Sequence, residues 1–352
     1  MGAIHQFLST FAPRDAQGNH ALQVRAVLRD MGLASDIYAM EVWPELRREA
    51  RSHREYTGGA SHLLYQLSTG SPVADFLRRQ PEPKIVNYHN LTPLSMFAPW
   101  EPHMGAELSA GRRQLHELAG STALGIAVSS YNQAELDVAG YPKTTVVPLL
   151  LDLASFDREP DRRTLDRLWR DRGATWLFVG RLAPNKAQHD LVAALAAYRR
   201  AYDPDARLRL VGGASSPRYA DAVAGFAAEL GIGDAVELVG HVSDDELSAH
   251  FRAADVYVST SDHEGFGVPL LEALHHRLPV VAYGSSAVPE TVGGAGIVLP
   301  EKSPETVAAA VHRVLTDDAL RHALAEAAGH RLADFALPKT AAAFRAAIEL
   351  VL

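Results

Sequence analysis

The feature that most constrains this chain is an alternation that runs along its whole length. Short apolar runs rich in Val, Ile, Leu and Tyr recur between stretches with helical apolar spacing. A run of about five apolar residues suits a strand buried on both faces, and a strand, a helix and a second strand make a βαβ unit. Such units build parallel sheets with helices on either side, so the class is α/β. Strands are expected at residues 3–7, 36–40, 62–66, 84–88, 125–128 and 144–147. A charged stretch over 157–172 then interrupts the pattern, which restarts at 176–180 and continues at 207–211, 236–239, 256–259 and 279–282. The expected division is a first domain over 1–156, a second over 157–337 and a terminal helix over 338–352 that packs back on the first. Two doubly wound domains in tandem are expected to face a central cleft with the carboxyl ends of their sheets, where open α/β sheets bind ligands.

Composition removes several functions. The chain has 352 residues, 47% of them hydrophobic, which suits two cored domains. Its formal charge of -8 speaks against nucleic acid as a partner. With no cysteine, thiolate ligands and thiol nucleophiles are excluded. The start, Met1-Gly2-Ala3-Ile4-His5-Gln6, has neither a basic segment followed by an apolar one nor a myristoylation pattern, and no apolar run nears the ~18 residues of a membrane span. A cytoplasmic protein is expected, with peripheral attachment at the inner membrane face left open.

The most informative loop follows the 256–259 strand: Ser261-Asp262-His263-Glu264-Gly265-Phe266-Gly267-Val268-Pro269-Leu270-Leu271-Glu272. Pro269 suits the first turn of a helix, and the glycines let backbone approach a ligand closely. The helix N-terminus offers unpaired N–H groups and a positive dipole end to a phosphate. Glu264 and Glu272 add acceptors for sugar hydroxyls, which cost ~1–3 kcal/mol each when buried unpaired. A second loop, Arg181-Leu182-Ala183-Pro184-Asn185-Lys186, follows the 176–180 strand and brings two cations suited to a diphosphate.

Glu264 and Glu272, with Gly-Phe-Gly directly after the first acid, resemble the signature of family 4 retaining glycosyltransferases (glycosyl transferases group 1) of GT-B fold. The resemblance covers most of the second half, from Val179 to about Pro300, and the outline of the first. It implies two Rossmann-like domains and transfer of a hexose from a UDP- or GDP-sugar to a hydroxyl acceptor, metal-independent and with retention at the anomeric carbon. It assigns Glu264 to the donor sugar, Glu272 to the ribose, and Arg181 and Lys186 to the diphosphate. Backbone amides of Gly265, Phe266, Gly267 and Val268 would meet sugar and phosphates, and His241 and Val242 the nucleobase. In the first half it implies Gly18 on the donor phosphate or acceptor and His89, within Tyr88-His89-Asn90, as a group that orients the acceptor or shares its proton. The nucleotide sugar is then a co-substrate, and no cofactor or metal is expected.

Competing readings are a sugar phosphorylase or nucleotide-sugar epimerase on the same architecture, or a non-catalytic binder of nucleotide sugars. Asp203-Pro204-Asp205 reads as a turn rather than a metal site, and His275-His276 lacks a third ligand. Neither a P-loop nor Gly-x-Ser-x-Gly occurs. Arg47, Arg48, Arg51 and Arg54 are expected on one basic helical face, and Glu290 of Val288-Pro289-Glu290-Thr291 near a helix start.

Overall fold

Every residue of His62–Leu67 is buried, as a central strand covered by helices on both faces must be. It belongs to a seven-stranded sheet in the computed structural model, which describes residues 2–13 and 15–352. That sheet contains β1 (Ile4–Phe11), β2 (Ile37–Val42), β3 (Ala50–Ser52), β4 (His62–Leu67), β5 (Lys84–Tyr88), β6 (Thr122–Ala127) and β7 (Thr144–Val146). Its order is β3-β2-β1-β4-β5-β6-β7, and all neighbours run parallel. A second sheet holds β8 (Thr175–Val179), β9 (Arg207–Val211), β10 (Val236–Gly240), β11 (Val256–Ser259), β12 (Val280–Tyr283) and β13 (Ile297–Leu299). It is likewise parallel, in the order β10-β9-β8-β11-β12-β13.

Both sheets are Rossmann-like. The winding direction reverses between β1 and β4 in one and between β8 and β11 in the other, and ligands of such sheets bind where the loops diverge beyond these strand ends.

The chain falls into two units. One comprises Met1–Ala98, Pro102–Leu151 and Phe335–Leu352; the other comprises Pro99–Glu101 and Asp152–Asp334. In the first, the closing helix Leu337–Glu349 buries Phe344, Ala347 and Ile348 against Ile4, Val24, Leu28 and Leu64, and Arg345 pairs with Asp30. In the second, Trp176 and Phe178 of β8 share a core with Leu191 and Leu195 and with Val307, Val311 and Val314 of helix Pro304–Thr316. Each large apolar side chain buried in this way contributes ~1.5–3 kcal/mol.

Three local expectations change. The four arginines do not share a helix: Pro44–Leu46 is one short turn, Ala50–Ser52 is an edge strand paired with Ile37–Ala39 of β2, and His53–Glu55 is a second turn boxed by Ser52 and Glu55. Strand pairing captures the segment because Ala50 is buried at that edge while Arg51 points to water. The charged stretch over 157–172 is also not merely a connector. It contains the helix Arg162–Leu168, capped by the Asp161 carboxylate at 2.8 Å from Thr164 N–H, with Leu165 and Leu168 buried against Ala249. Finally, β3 and β13 join the sheets although no strand was expected at either. Asp203 is a turn residue, accepting from Ala174 N–H at 2.7 Å and Asp205 N–H at 3.0 Å.

Candidate functional site

In the second unit the strands on either side of the reversal, β8 and β11, deliver the two loops singled out above. After β8 the chain turns at Gly180 (φ 153°), passes Arg181 and forms the turn Pro184–Lys186. Ala187 (φ 48°) then redirects it into the helix Gln188–Ala201. After β11, residues 260–267 run to Gly267 (φ 89°), which starts the helix Val268–His275.

Hydrogen bonds stitch these loops together. Asn185 accepts from the backbone N–H of Asp262 at 2.9 Å and of His263 at 3.3 Å, while its side-chain amide donates to the His263 carbonyl at 3.3 Å. Thr260 Oγ1 donates to the Ala187 carbonyl at 3.0 Å. The outcome is a pair: Lys186 Nζ stands 2.6 Å from Glu264 Oε1, both side chains mostly buried. Arg181 is exposed; its backbone carbonyl accepts from Gln188 Nε2 at 2.9 Å, but its guanidinium makes no hydrogen bond or ion pair with another described residue. Its five-donor fork is therefore available to an anion.

A third segment supports Glu264. Its N–H donates to Ser286 Oγ at 3.4 Å, and its carbonyl accepts from Ala287 N–H at 3.3 Å. Ser286 is held at φ 49°, a left-handed conformation that is uncommon outside glycine and is recurrent at functional sites. Phe266 is buried, its carbonyl taking the Thr291 hydroxyl at 2.5 Å, so the turn before the helix is anchored. At the start of the Val268–His275 helix Leu270 N–H is taken by the Gly267 carbonyl at 3.0 Å and Pro269 has no N–H, so it is the Val268 amide and the positive end of the helix dipole that favour a phosphate there. Glu272 occupies the fifth position of that helix. Burial, assisted by the Asp244 carboxylate, pushes its carboxyl up to about 7.

His241 follows β10 and is exposed, with its imidazole over Gly213. A Cβ at Gly213 would lie 2.0 Å from His241 Nε2, so a side chain there would displace the exposed ring from this position. Next to it, Gly212 (φ 139°) touches the loop that carries Arg181: a Cβ there would meet the Gly180 carbonyl oxygen at 2.2 Å. Gly212→Ala must push backbone apart as well as strain itself, which costs on the order of 2–3 kcal/mol. We expect thermal unfolding of the second unit to move down by roughly 5–10 °C, measured by calorimetry; an unchanged transition would show that the β8 and β9 ends yield freely.

The first unit carries Gly18 and His89. The helix after β1 begins at Ala16, so Gly18 lies in its first turn, where a Cβ would stand 3.1 Å from the Ala12 carbonyl oxygen. Arg14 of that segment lies outside the described residues. Gln17 beside it donates to the Gln66 carbonyl at 2.8 Å and accepts from Ser68 Oγ at 2.9 Å, tying the start of that helix to the end of β4 and the loop after it.

His89 follows β5, its Nε2 2.7 Å from Gln66 Oε1. Gln66 Nε2 donates to Gln6 Oε1 at 2.9 Å, and Gln6 Nε2 to the Ala21 carbonyl at 2.9 Å. Because that carbonyl can only accept, both amides are oriented, and His89 Nε2 must carry the proton, leaving the lone pair on Nδ1. Burial pushes the imidazole down to about 3, so the ring is neutral. Sequence reasoning missed Gln6, Gln17, Gln66, Asn185 and Ser286; each is a lone polar residue, Gln6 and Gln66 within strands, Gln17 at a helix start and the other two in loops after strands, a weak signal until the strand order is known. Among the described residues no group of three or more His, Asp or Glu is placed to hold a metal ion, and no helix is long and apolar enough to cross a membrane.

Comparison with known proteins agrees with the fold. The family model for glycosyl transferases group 1 matches residues 166–331. The chain is 31% identical over 318 residues to a D-inositol 3-phosphate glycosyltransferase of Kineococcus radiotolerans, covering 85% of this chain and 72% of that one. It is 33% identical over 223 residues to a GDP-mannose-dependent alpha-(1-6)-phosphatidylinositol monomannoside mannosyltransferase of Mycobacterium tuberculosis, covering 60% of this chain and 57% of the relative. Among solved structures, Anabaena Alr3699/HepE in complex with UDP and glucose superposes with a TM-score of 0.77 at 17% identity, over 99% of this chain and all of the other, a likeness of fold. Two parallel Rossmann-like sheets, a loop pairing Lys186 with Glu264, and a relative matched over most of both chains lead to one assignment: the protein belongs to the glycosyl transferases group 1 family and has the GT-B fold.

Proposed function

We propose that this glycosyltransferase moves a hexose from a UDP- or GDP-sugar to a hydroxyl acceptor with retention at the anomeric carbon. The observation that carries the reading is the Lys186–Glu264 pair, 2.6 Å apart at the strand-order reversal of the second sheet. Glu264 accepts hydrogen bonds from the donor sugar's hydroxyls. Arg181 and Lys186 hold the diphosphate and stabilise the charge that grows on it as the bond to the sugar breaks. The amides of Gly265, Phe266, Gly267 and Val268 reinforce them, Glu272 takes the ribose, and His241 with Val242 meets the base. The acceptor oxygen bonds to the anomeric carbon, and its proton passes to the departing diphosphate.

On the acceptor side, Gly18 lets backbone come close and His89 orients the hydroxyl through its Nδ1 lone pair. The same reading makes the reaction independent of a metal and of any resident cofactor. It also makes the enzyme cytoplasmic, peripheral at most to the inner membrane face, with a glycan, a lipid-linked saccharide or a natural product as acceptor.

A thermal-shift screen of UDP- and GDP-sugars tests this directly, since a ligand at a hundred times its Kd adds ~2.7 kcal/mol to the folded state. A rise of several degrees is expected with one nucleotide class, together with nucleotide release that accelerates when an acceptor is supplied. Binding without any turnover would favour a non-catalytic binder.

A further inference from the structure

Lys302 lies just past β13, in neither of the loops described, yet it touches the supports of both. Its ammonium stands 2.6 Å from Asp190 Oδ2, 2.6 Å from Asp262 Oδ1 and 3.2 Å from the Thr260 carbonyl. It also lies 5.3 Å from the centre of the Tyr283 ring. The three N–H donors of an ammonium are thereby used in full. Asp190 is in the first turn of the helix that Lys186 leads into, and Asp262 and Thr260 precede Glu264 in the opposite loop.

The electrostatics give this contact a direction. Two carboxylates reach one nitrogen, so removing the cation leaves like charges facing each other across the seam between the loops. Their repulsion acts on the Glu264 loop, which is tied elsewhere by backbone bonds to Asn185 and Ala287 of 2.9 to 3.3 Å. It does not act directly on Glu272, which is carried by the following helix. Burial alone lowers the pKa of Lys302, but the hydrogen bonds it donates to the two aspartates, and their charges, outweigh burial and the net shift is upward, so the ammonium stays charged at neutral pH.

We propose that Lys302 is a positioning residue of the donor site, a strut that fixes the Glu264 loop against the Lys186 loop and so governs the grip on the donor sugar rather than on the nucleotide. This rests on the donor-site reading above. The test measures binding by titration calorimetry to two pairs, UDP with UDP-glucose and GDP with GDP-mannose, using whichever pair the wild-type protein binds. Lys302→Met is expected to weaken the nucleotide sugar at least tenfold while leaving the nucleotide diphosphate within threefold. The double variant Lys302→Met/Asp262→Asn, which removes the unmatched charge and guards against a variant that fails to fold, is expected to recover most of the loss.

Three results overturn the strut: nucleotide-sugar affinity in Lys302→Met within twofold of wild type, equal weakening of diphosphate and nucleotide sugar, or no recovery in the double variant. A wild-type protein that binds neither pair sinks the donor-site reading itself, and the strut with it. The two failures are thus told apart by the wild-type titration alone.

Discussion

Glu264→Ala is expected to slow sugar transfer by roughly 30- to 150-fold while nucleotide diphosphate binding changes little. The estimate follows from the chemistry of the site: hydrogen bonds from sugar hydroxyls to a carboxylate contribute ~2–3 kcal/mol together, and each 1.4 kcal/mol is tenfold in rate. The variant also strips Lys186 of the partner 2.6 Å from its ammonium, leaving that cation free to bind phosphate more closely. Donor affinity can therefore hold or even rise while turnover falls, the pattern of an interaction formed mainly with the reacting sugar. Steady-state kinetics of nucleotide release check it. Full transfer rate in Glu264→Ala would remove the residue from this role.

Glu272→Gln is expected to act on two properties in opposite directions. The wild-type carboxyl, raised to about 7 by burial and by Asp244, keeps its proton in the folded protein at pH values where the unfolded chain has lost it. Between the ordinary carboxylate value near 4.5 and about 7, stability therefore falls as pH rises. Glutamine carries no charge, so the variant is expected to match wild type near pH 5 and exceed it at pH 8 by on the order of 2 kcal/mol, allowing for the partial exposure of the group.

Nucleotide binding runs the other way. Ribose hydroxyls donating to an ionised Glu272 would draw its pKa down, so binding releases a proton. Wild-type affinity for nucleotide diphosphate should then climb with pH up to about 7, by at most ~10-fold per unit, and exceed that of Glu272→Gln. Subtracting the variant's profile removes the titration of the diphosphate itself. Parallel pH profiles for the two proteins would place the ribose elsewhere.

Much of the fold was legible because its determinants are local. A short β-branched apolar run bounded by loop residues makes a buried strand, whereas the longer Ala-rich run over 191–198 makes a helix, and Gly-Phe-Gly followed by Pro269 makes a strand-end loop that opens a helix. The segments read poorly are those with too few residues to carry a period. β3 and β13 have three residues each, and the arginine-rich segment around β3 obeys sheet pairing instead of its own helical spacing.

The candidate site divides along the same line. Arg181, Lys186 and Glu264, each in a loop after a strand, and Glu272, in the helix that the second loop opens, can be singled out from the chain alone. Their electrostatics cannot. Residues 186 and 264 meet only because β8 lies beside β11 in the finished sheet, and a single ammonium from residue 302 can neutralise carboxylates at 190 and 262 only once β13 has closed the sheet's far edge. The raised carboxyl of Glu272 and the neutral imidazole of His89 are likewise products of burial and of partners distant in the chain. Local order writes the identity of the groups; long-range packing sets their charge, proton and spacing, because Coulomb and desolvation terms depend on neighbours that no linear motif contains.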